Sequence, residues 1–262
     1  MPLQVEKIQV NIPFTMLYET HLERFLSHGL NPEIGFDAQA LDQYSLSDFK
    51  DVALALEASG LSVTFHAPFM DLSPGSPDPE VRALTGRRFE QVLQLVPVFK
   101  PRTVVCHTGY EATRYRHMRE LWVEKSLGMW AWFGRAVRDE GSSLMLENVY
   151  EEGPEDMRIL FEHLEGEEVG FCLDTGHQAV FGRVPLGAWV EALEPFLGQL
   201  HLHDNRGDWD EHLALGGGGI DFARLLRLVR AGKRTAPVTT LEPHREEDLW
   251  PSFEYLKEIW PW

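Results

Sequence analysis

The chain has 262 residues, 44% of them hydrophobic, and a formal net charge of −17. A balance this acidic disfavours nucleic-acid partners, whose binders present a basic face. No run approaches the 18 apolar residues of a membrane span. The two cysteines, Cys106 and Cys172, lie in apolar runs without framework spacing, and MPLQVEKIQV reads as no secretory leader. Both features point to a reducing, cytoplasmic setting.

From the N-terminus, KIQVNIP (7–13) reads as a first strand and PEIGFD (32–37) as a second. Phe49, Val52, Ala53 and Leu56 then follow the i, i+3, i+4, i+7 spacing of a helix, with Ser47 before it and Gly60 after it. LSVTFHAP (61–68) is the third strand. The loop-like PFMDLSPGSPDPE (68–80) follows, which reads equally as a substrate-covering loop after a strand end or as a surface loop of no special role. A helix carrying Phe89, Val92, Leu93 and Val96 precedes the fourth strand, RTVVCHTG (102–109). The aromatic-rich stretch 121–137 is expected to pack as a helix on the barrel. SLMLENV (143–149) is the fifth strand, and Gly141 sits just before it. Gly153-Pro154 opens a helix with Met157, Leu160, Phe161 and Leu164 on one face. VGFCLDTG (169–176), QLHLHDN (199–205) and PVTTLEP (237–243) complete eight strands, with Gly232 near the end of the last intervening helix.

Strands alternating with helices favour a parallel sheet, and eight repeats favour closure into a (β/α)8 TIM barrel, one domain over residues 1–262. An open doubly wound sheet is the alternative. It calls for a glycine fingerprint after the first strand, and NIPFTMLYE has none.

Strands buried on both faces should be apolar, yet the third to the eighth end in ionisable residues: His66, His107, Glu147, Asp174, His201 with His203, and Glu242. The C-terminal ends of barrel strands form the mouth, where active sites of this fold are built. Converging carboxylates and imidazoles there are costly without compensation, and a divalent cation supplies it. Glu147, Asp174, His201 and Glu242 make a four-ligand set. His66, His107, His177, Asp210 and His212 remain for further cations or for substrate. His203 falls on the same side as His201 and reads as a hydrogen-bond donor behind a ligand or as a substrate contact. Asp204 reads as a turn or cap residue. Gly216–Gly219 either makes a plain turn or lets the loop carrying Asp210 and His212 fold back over the mouth. His21, His28, His117 and His163 read as solvated, and His244 as near the site.

FHAPF, VVCHTG, LMLEN, LDTGH, LHLHDN, DEH followed by glycine, and LEP, in this order, resemble the xylose isomerase-like TIM-barrel superfamily. The resemblance runs from the second strand onward. Its isomerase and epimerase branch implies one Mn, Mg or Co ion on Glu147, Asp174, His201 and Glu242. It also implies Glu147 and Glu242 as the proton-transferring pair and His177 as a substrate contact. Arg206 matches the family's substrate-positioning arginine only approximately. The endonuclease IV branch implies three zinc ions on nine residues: His66, His107, Glu147, Asp174, His177, His201, Asp210, His212 and Glu242. NIPFTML departs from that branch's first strand, and GGGG replaces its Gly-Glu-Gly. The expectation is therefore an isomerase or epimerase of a sugar, sugar phosphate or related hydroxy-carbonyl, with one to three ions of Mn, Co, Mg or Zn. A di- or tri-zinc hydrolase of a small phosphoester or glycosyl-phosphate is the alternative. The expected partner is a small-molecule substrate. Self-association is left open.

Overall fold

A computed structural model describes residues 8–233 and 235–262. Lys7, the predicted start of the first strand, and the N-terminal segment read for a leader lie outside the described residues.

The eight predicted strands all form, somewhat shorter than expected. They are β1 (Ile8–Pro13), β2 (Asn31–Gly35), β3 (Thr64–His66), β4 (Thr103–His107), β5 (Ser143–Glu147), β6 (Gly170–Asp174), β7 (Leu197–Leu202) and β8 (Val238–Leu241). All pair in parallel with their sequence neighbours, and β1 also pairs with β8, closing the ring. Gln9 faces Asn31 on one side and Thr240 on the other, which overturns the open-sheet alternative.

The principal helices are α1 (Leu22–His28), α2 (Leu46–Ala58), α3 (Pro79–Phe99), α4 (Arg119–Asp139), α5 (Pro154–Leu164), α6 (Thr175–Phe181), α7 (Leu186–Leu193), α8 (Phe222–Gly232) and α9 (Leu249–Ile259). Shorter helical turns lie in the loops. The predicted apolar faces of α2 and α5 are buried. On α3, Leu93 is only half-buried and Leu95 takes its place. In the 121–137 stretch, Trp122, Trp130 and Phe133 of α4 are buried, as packing on the barrel requires. The start of α2 differs from expectation. Ser45, not Ser47, is the cap, and Asp48 accepts from the Ser45 backbone N–H at 2.8 Å, completing a reciprocal capping box. Ser47 has no such acidic partner three residues on. None of the described helices is long and apolar enough to cross a membrane.

Strand residues two apart share a face. One face of each strand packs outward against the helices: Phe65, Val104, Leu144, Leu146, Phe171 and Leu200 join the main core there. The other face fills the barrel. Val105, Met145 and Cys172 form a small apolar cluster inside it. Two residues further along the same strands come His107, Glu147 and Asp174. The period of two thus sets the polar residues as the next layer up, at the mouth.

Candidate metal centre

Glu147 sits at the middle of this layer. Its Oε2 lies 3.1 Å from His66 Nε2 and 3.5 Å from His107 Nε2. Its Oε1 lies 3.3 Å from His177 Nδ1 and 3.4 Å from His201 Nδ1. His201 Nδ1 is also 3.0 Å from Glu242 Oε1. Asp174 caps α6 by accepting the His177 backbone N–H at 2.6 Å, and both its oxygens lie 3.2 Å from His203 Nε2. Asn148 ties the ends of β5 and β6 together: its amide donates to the Asp174 carbonyl and accepts the Asp174 N–H, both at 3.0 Å.

The loop after β7 contributes from above. Asp204 and Leu213 exchange backbone hydrogen bonds of 3.0 and 2.8 Å, so residues 205–212 leave and return as an excursion over the mouth. The Asp204 carboxylate accepts the backbone N–H groups of Asn205, Gly216, Gly218 and Ile220 at 2.9–3.1 Å. This is what the glycines are for: a Cβ on Gly218 would meet Asn205 O at 2.3 Å. The wrap brings Asp210 Oδ2 to 3.4 Å from His177 Nε2 and 3.1 Å from His212 Nε2. His212 takes its place with a left-handed backbone, φ +50°, uncommon outside glycine. Its ring lies between those of His203 (centroids 3.7 Å apart) and His244 (3.6 Å).

All nine residues of the endonuclease IV pattern therefore meet at the mouth. Their donor atoms fall into overlapping groups close enough to hold a metal: His66, His107, Glu147; then Glu147, Asp174, His201; then Asp174, His203, Glu242; then His177, His203, Asp210, His212. His203 is placed among possible ligands, beyond the role the sequence suggested for it. Arg206 is exposed and ion-pairs with Glu211 of its own loop. His28, His117 and His163 are exposed and His21 half-buried, in keeping with their expected solvation. Cys106 and Cys172 are free and buried. Phe69, from the predicted loop after β3, stacks on His107 at 4.2 Å while remaining 44% exposed.

The orphaned atoms fit a divalent cation. His201 Nδ1, His203 Nδ1 and Asp210 Oδ1 are buried and make no hydrogen bond, an arrangement that ordinarily costs free energy. Among the described residues, every ion pair of Glu147, Asp174, Asp210 and Glu242 is with a histidine; no lysine or arginine neutralises them. The donor set suits a divalent metal. Burial pushes the His107 imidazole down to about 3, which keeps it neutral with a lone pair to offer. Burial by itself would raise Glu147, but His201 and His107 hold its carboxyl well below the usual range.

The sequence reading missed Glu33. It lies on β2, fully buried, with Oε1 2.9 Å from His201 Nε2. An acid inside PEIGFD, a strand expected to be apolar, was the available signal.

The sequence profile described as xylose isomerase-like TIM barrel matches residues 31–259. Among curated proteins, an uncharacterised protein of Methanocaldococcus jannaschii is 27% identical over 207 residues, covering 76% of this chain and 70% of its own length. A probable endonuclease 4 of Symbiobacterium thermophilum is 26% identical over 223 residues, covering 76% and 78%. Among solved structures, the TTHB071 protein of Thermus thermophilus, soaked with ZnCl2, superposes with a TM-score of 0.83 at 28% identity and 97% coverage of both chains. A D-tagatose 3-epimerase-like protein gives 0.81 at 23% identity, covering 97% of this chain and 96% of its own, a likeness of fold alone.

Proposed function

Because the chain belongs to the xylose isomerase-like TIM-barrel family, we propose that it is a divalent-metal-dependent isomerase or epimerase of a sugar, sugar phosphate or related hydroxy-carbonyl. The observation that carries this reading is the approach of two carboxylates, Glu147 from β5 and Glu242 from beyond β8, to the same nitrogen of His201, at 3.4 and 3.0 Å. Such a pair, reaching one point from separate strands, can remove a proton from one face of a carbon and return it to the other. Glu147, Asp174, His201 and Glu242 would hold the cation, which when bound acidifies the C–H beside a carbonyl by drawing charge onto the oxygens. Glu147 and Glu242 carry the proton. His66 and His107 orient Glu147 through Oε2, and Phe69, stacked on His107, keeps water from that side. Asp174, tied to the start of α6 and to His203, holds its place by hydrogen bonds.

A second reading, a zinc hydrolase of a small phosphoester or glycosyl-phosphate, draws on one specific observation. The two oxygens of Glu147 serve different ligand groups, as a carboxylate bridging two ions does. The 26% identity to a probable endonuclease 4 points the same way.

The test combines a metal count with a solvent-exchange assay. One equivalent of Mn or Co, with deuterium entering D-tagatose, D-fructose or their phosphates in heavy water, is expected. Two or three equivalents of zinc and phosphate release from a phosphoester, without exchange, would transfer the assignment to hydrolysis. Glu147→Gln should lower turnover by at least about 100-fold in either case.

A further inference from the structure

We propose that Glu33, in the layer beneath the centre, is the positioning residue for His201: it keeps the ring proton on Nε2 and so turns the Nδ1 lone pair toward Glu147 and Glu242. The inference rests on the metal-dependent reading of the site and deepens it.

Glu33 is fully buried, and its one ion-pair partner among the described residues is His201. Its two oxygens are used differently. Oε2 accepts from Thr64 Oγ1 at 2.9 Å, Gln199 Nε2 at 2.6 Å and Thr240 Oγ1 at 3.0 Å. Oε1 faces His201 Nε2 at 2.9 Å, with the Asn11 amide, at 3.4 Å, as a further donor. The partners come from β1, β3, β7 and β8, so the carboxylate is held from several sides of the barrel.

The tautomer follows from which ring nitrogen the cation takes. Gln199 Oε1 accepts from Thr103 Oγ1 at 2.6 Å, which turns the amide nitrogen toward Glu33. One Gln199 N–H goes to Glu33, and the other has both His201 Nε2, at 3.1 Å, and Thr240 Oγ1, at 3.2 Å, within reach. A bare Nε2 would face Glu33 Oε1 at 2.9 Å, and a bare Nδ1 would face Glu242 Oε1 at 3.0 Å, each lone pair against lone pair. A cation shared by Glu147, Glu242 and Nδ1 would remove only the second of these clashes, so with the ion bound the ring proton belongs on Nε2, toward Glu33, and the second Gln199 N–H on Thr240.

Glu33 could be taken for a ligand, since its oxygen is close to His201 and Glu242. It meets the opposite nitrogen of the imidazole, however, and Oε2 already has three donors. A carboxylate hydrogen-bonded behind a ligating histidine fixes its tautomer and strengthens it as a donor, and losing such a partner costs about 10–100-fold in metal affinity.

Two measurements test this. Zinc affinity is read by chelator competition on the whole protein and on Glu33→Gln, with circular dichroism as the check on folding. An affinity about 10–100-fold weaker is expected. Unchanged affinity in a folded variant overturns the role of Glu33 and leaves the metal reading standing; a wild type that takes up no zinc sinks both. Second, 15N-histidine spectra of the zinc-loaded wild type, with His201 assigned by its loss in His201→Asn, report the tautomer directly and need no folded Glu33 variant. A proton on Nε2 is expected. A proton on Nδ1 refutes the proposal. A merely structural Glu33 would shift thermal stability without moving either readout.

Discussion

At the scale of single residues, burial governs the chemistry. Glu151, just after β5, shows it outside the ligand set. It is 2% exposed, and its carboxylate accepts from Thr108 Oγ1 and, at 2.7 Å, from the Val149 backbone N–H. Burial nevertheless raises its carboxyl to about 7 from 4.5. Between those values the folded chain holds a proton that the unfolded chain has released, so this term opposes folding increasingly above pH 4.5 and reaches its full cost above about 7. Stability from this group is therefore complete below pH 4.5 and is lost as pH rises through 7. Glu151→Gln should flatten that part of the stability profile by up to about 3 kcal/mol. Urea unfolding at pH 5 and pH 8 measures it, and an identical pH slope in variant and wild type would count against the assignment. Among the site residues, most of those legible in the sequence were conspicuous at a strand end, while His177, Asp210 and His212 stood out through the motifs LDTGH and DEH. Glu33 was not, because one acid in a short apolar run gives no sign of facing a histidine five strands further along the chain.

At the scale of elements, β7 and the start of α6 are built around contact between a ring and a glycine. A Cβ on Gly176 would fall 1.9 Å from His203 Cε1, so the ring lies flush on the helix start with Nε2 against Asp174. Gly176→Ala should displace the ring, destabilise the fold by about 1–3 kcal/mol as overpacking does, and lower bound zinc. Metal analysis and thermal melts decide this; wild-type values in both would refute the packing argument. On α8, Leu225 is fully buried in the amphipathic face against the barrel. Leu225→Ala should cost about 2–5 kcal/mol, read by urea unfolding, through lost burial and the cavity left behind. Element type was readable locally here, because period two and period 3.6 are properties of short windows. Ends were less so: the α2 cap moved from Ser47 to Ser45 because a reciprocal partner, Asp48, outweighs hydroxyl identity alone.

At the scale of the whole molecule, cation binding and charge set the expectations. A cation that binds only the folded chain stabilises it by about 4 kcal/mol at a thousandfold excess over its dissociation constant. For a chain of this size that is a melting shift of about 10 °C. Calorimetry with zinc and with chelator should show that difference, and superimposed melts would argue that the histidines hold protons in place of a metal. The net charge of −17 makes a duplex partner costly. An abasic-site duplex should be neither retained nor cut at moderate salt, and salt-dependent retention would reopen the nucleic-acid question.

The sequence by itself determined that eight strands alternate with helices and that six of them end in groups able to bind a cation. The reason is that strand period and strand end are local properties, and in a parallel barrel the end of a strand is the mouth. Only the tertiary structure decided which atoms face each other: that Glu147 divides its oxygens between two histidine groups, that His203 joins Asp210 and His212, and that Glu33 stands behind His201. Those facts follow from closure and register. They fix neighbours across the ring: for Glu147 and Glu33 no short window along the chain contains both partners, and for His203 the window does not show that the loop folds back.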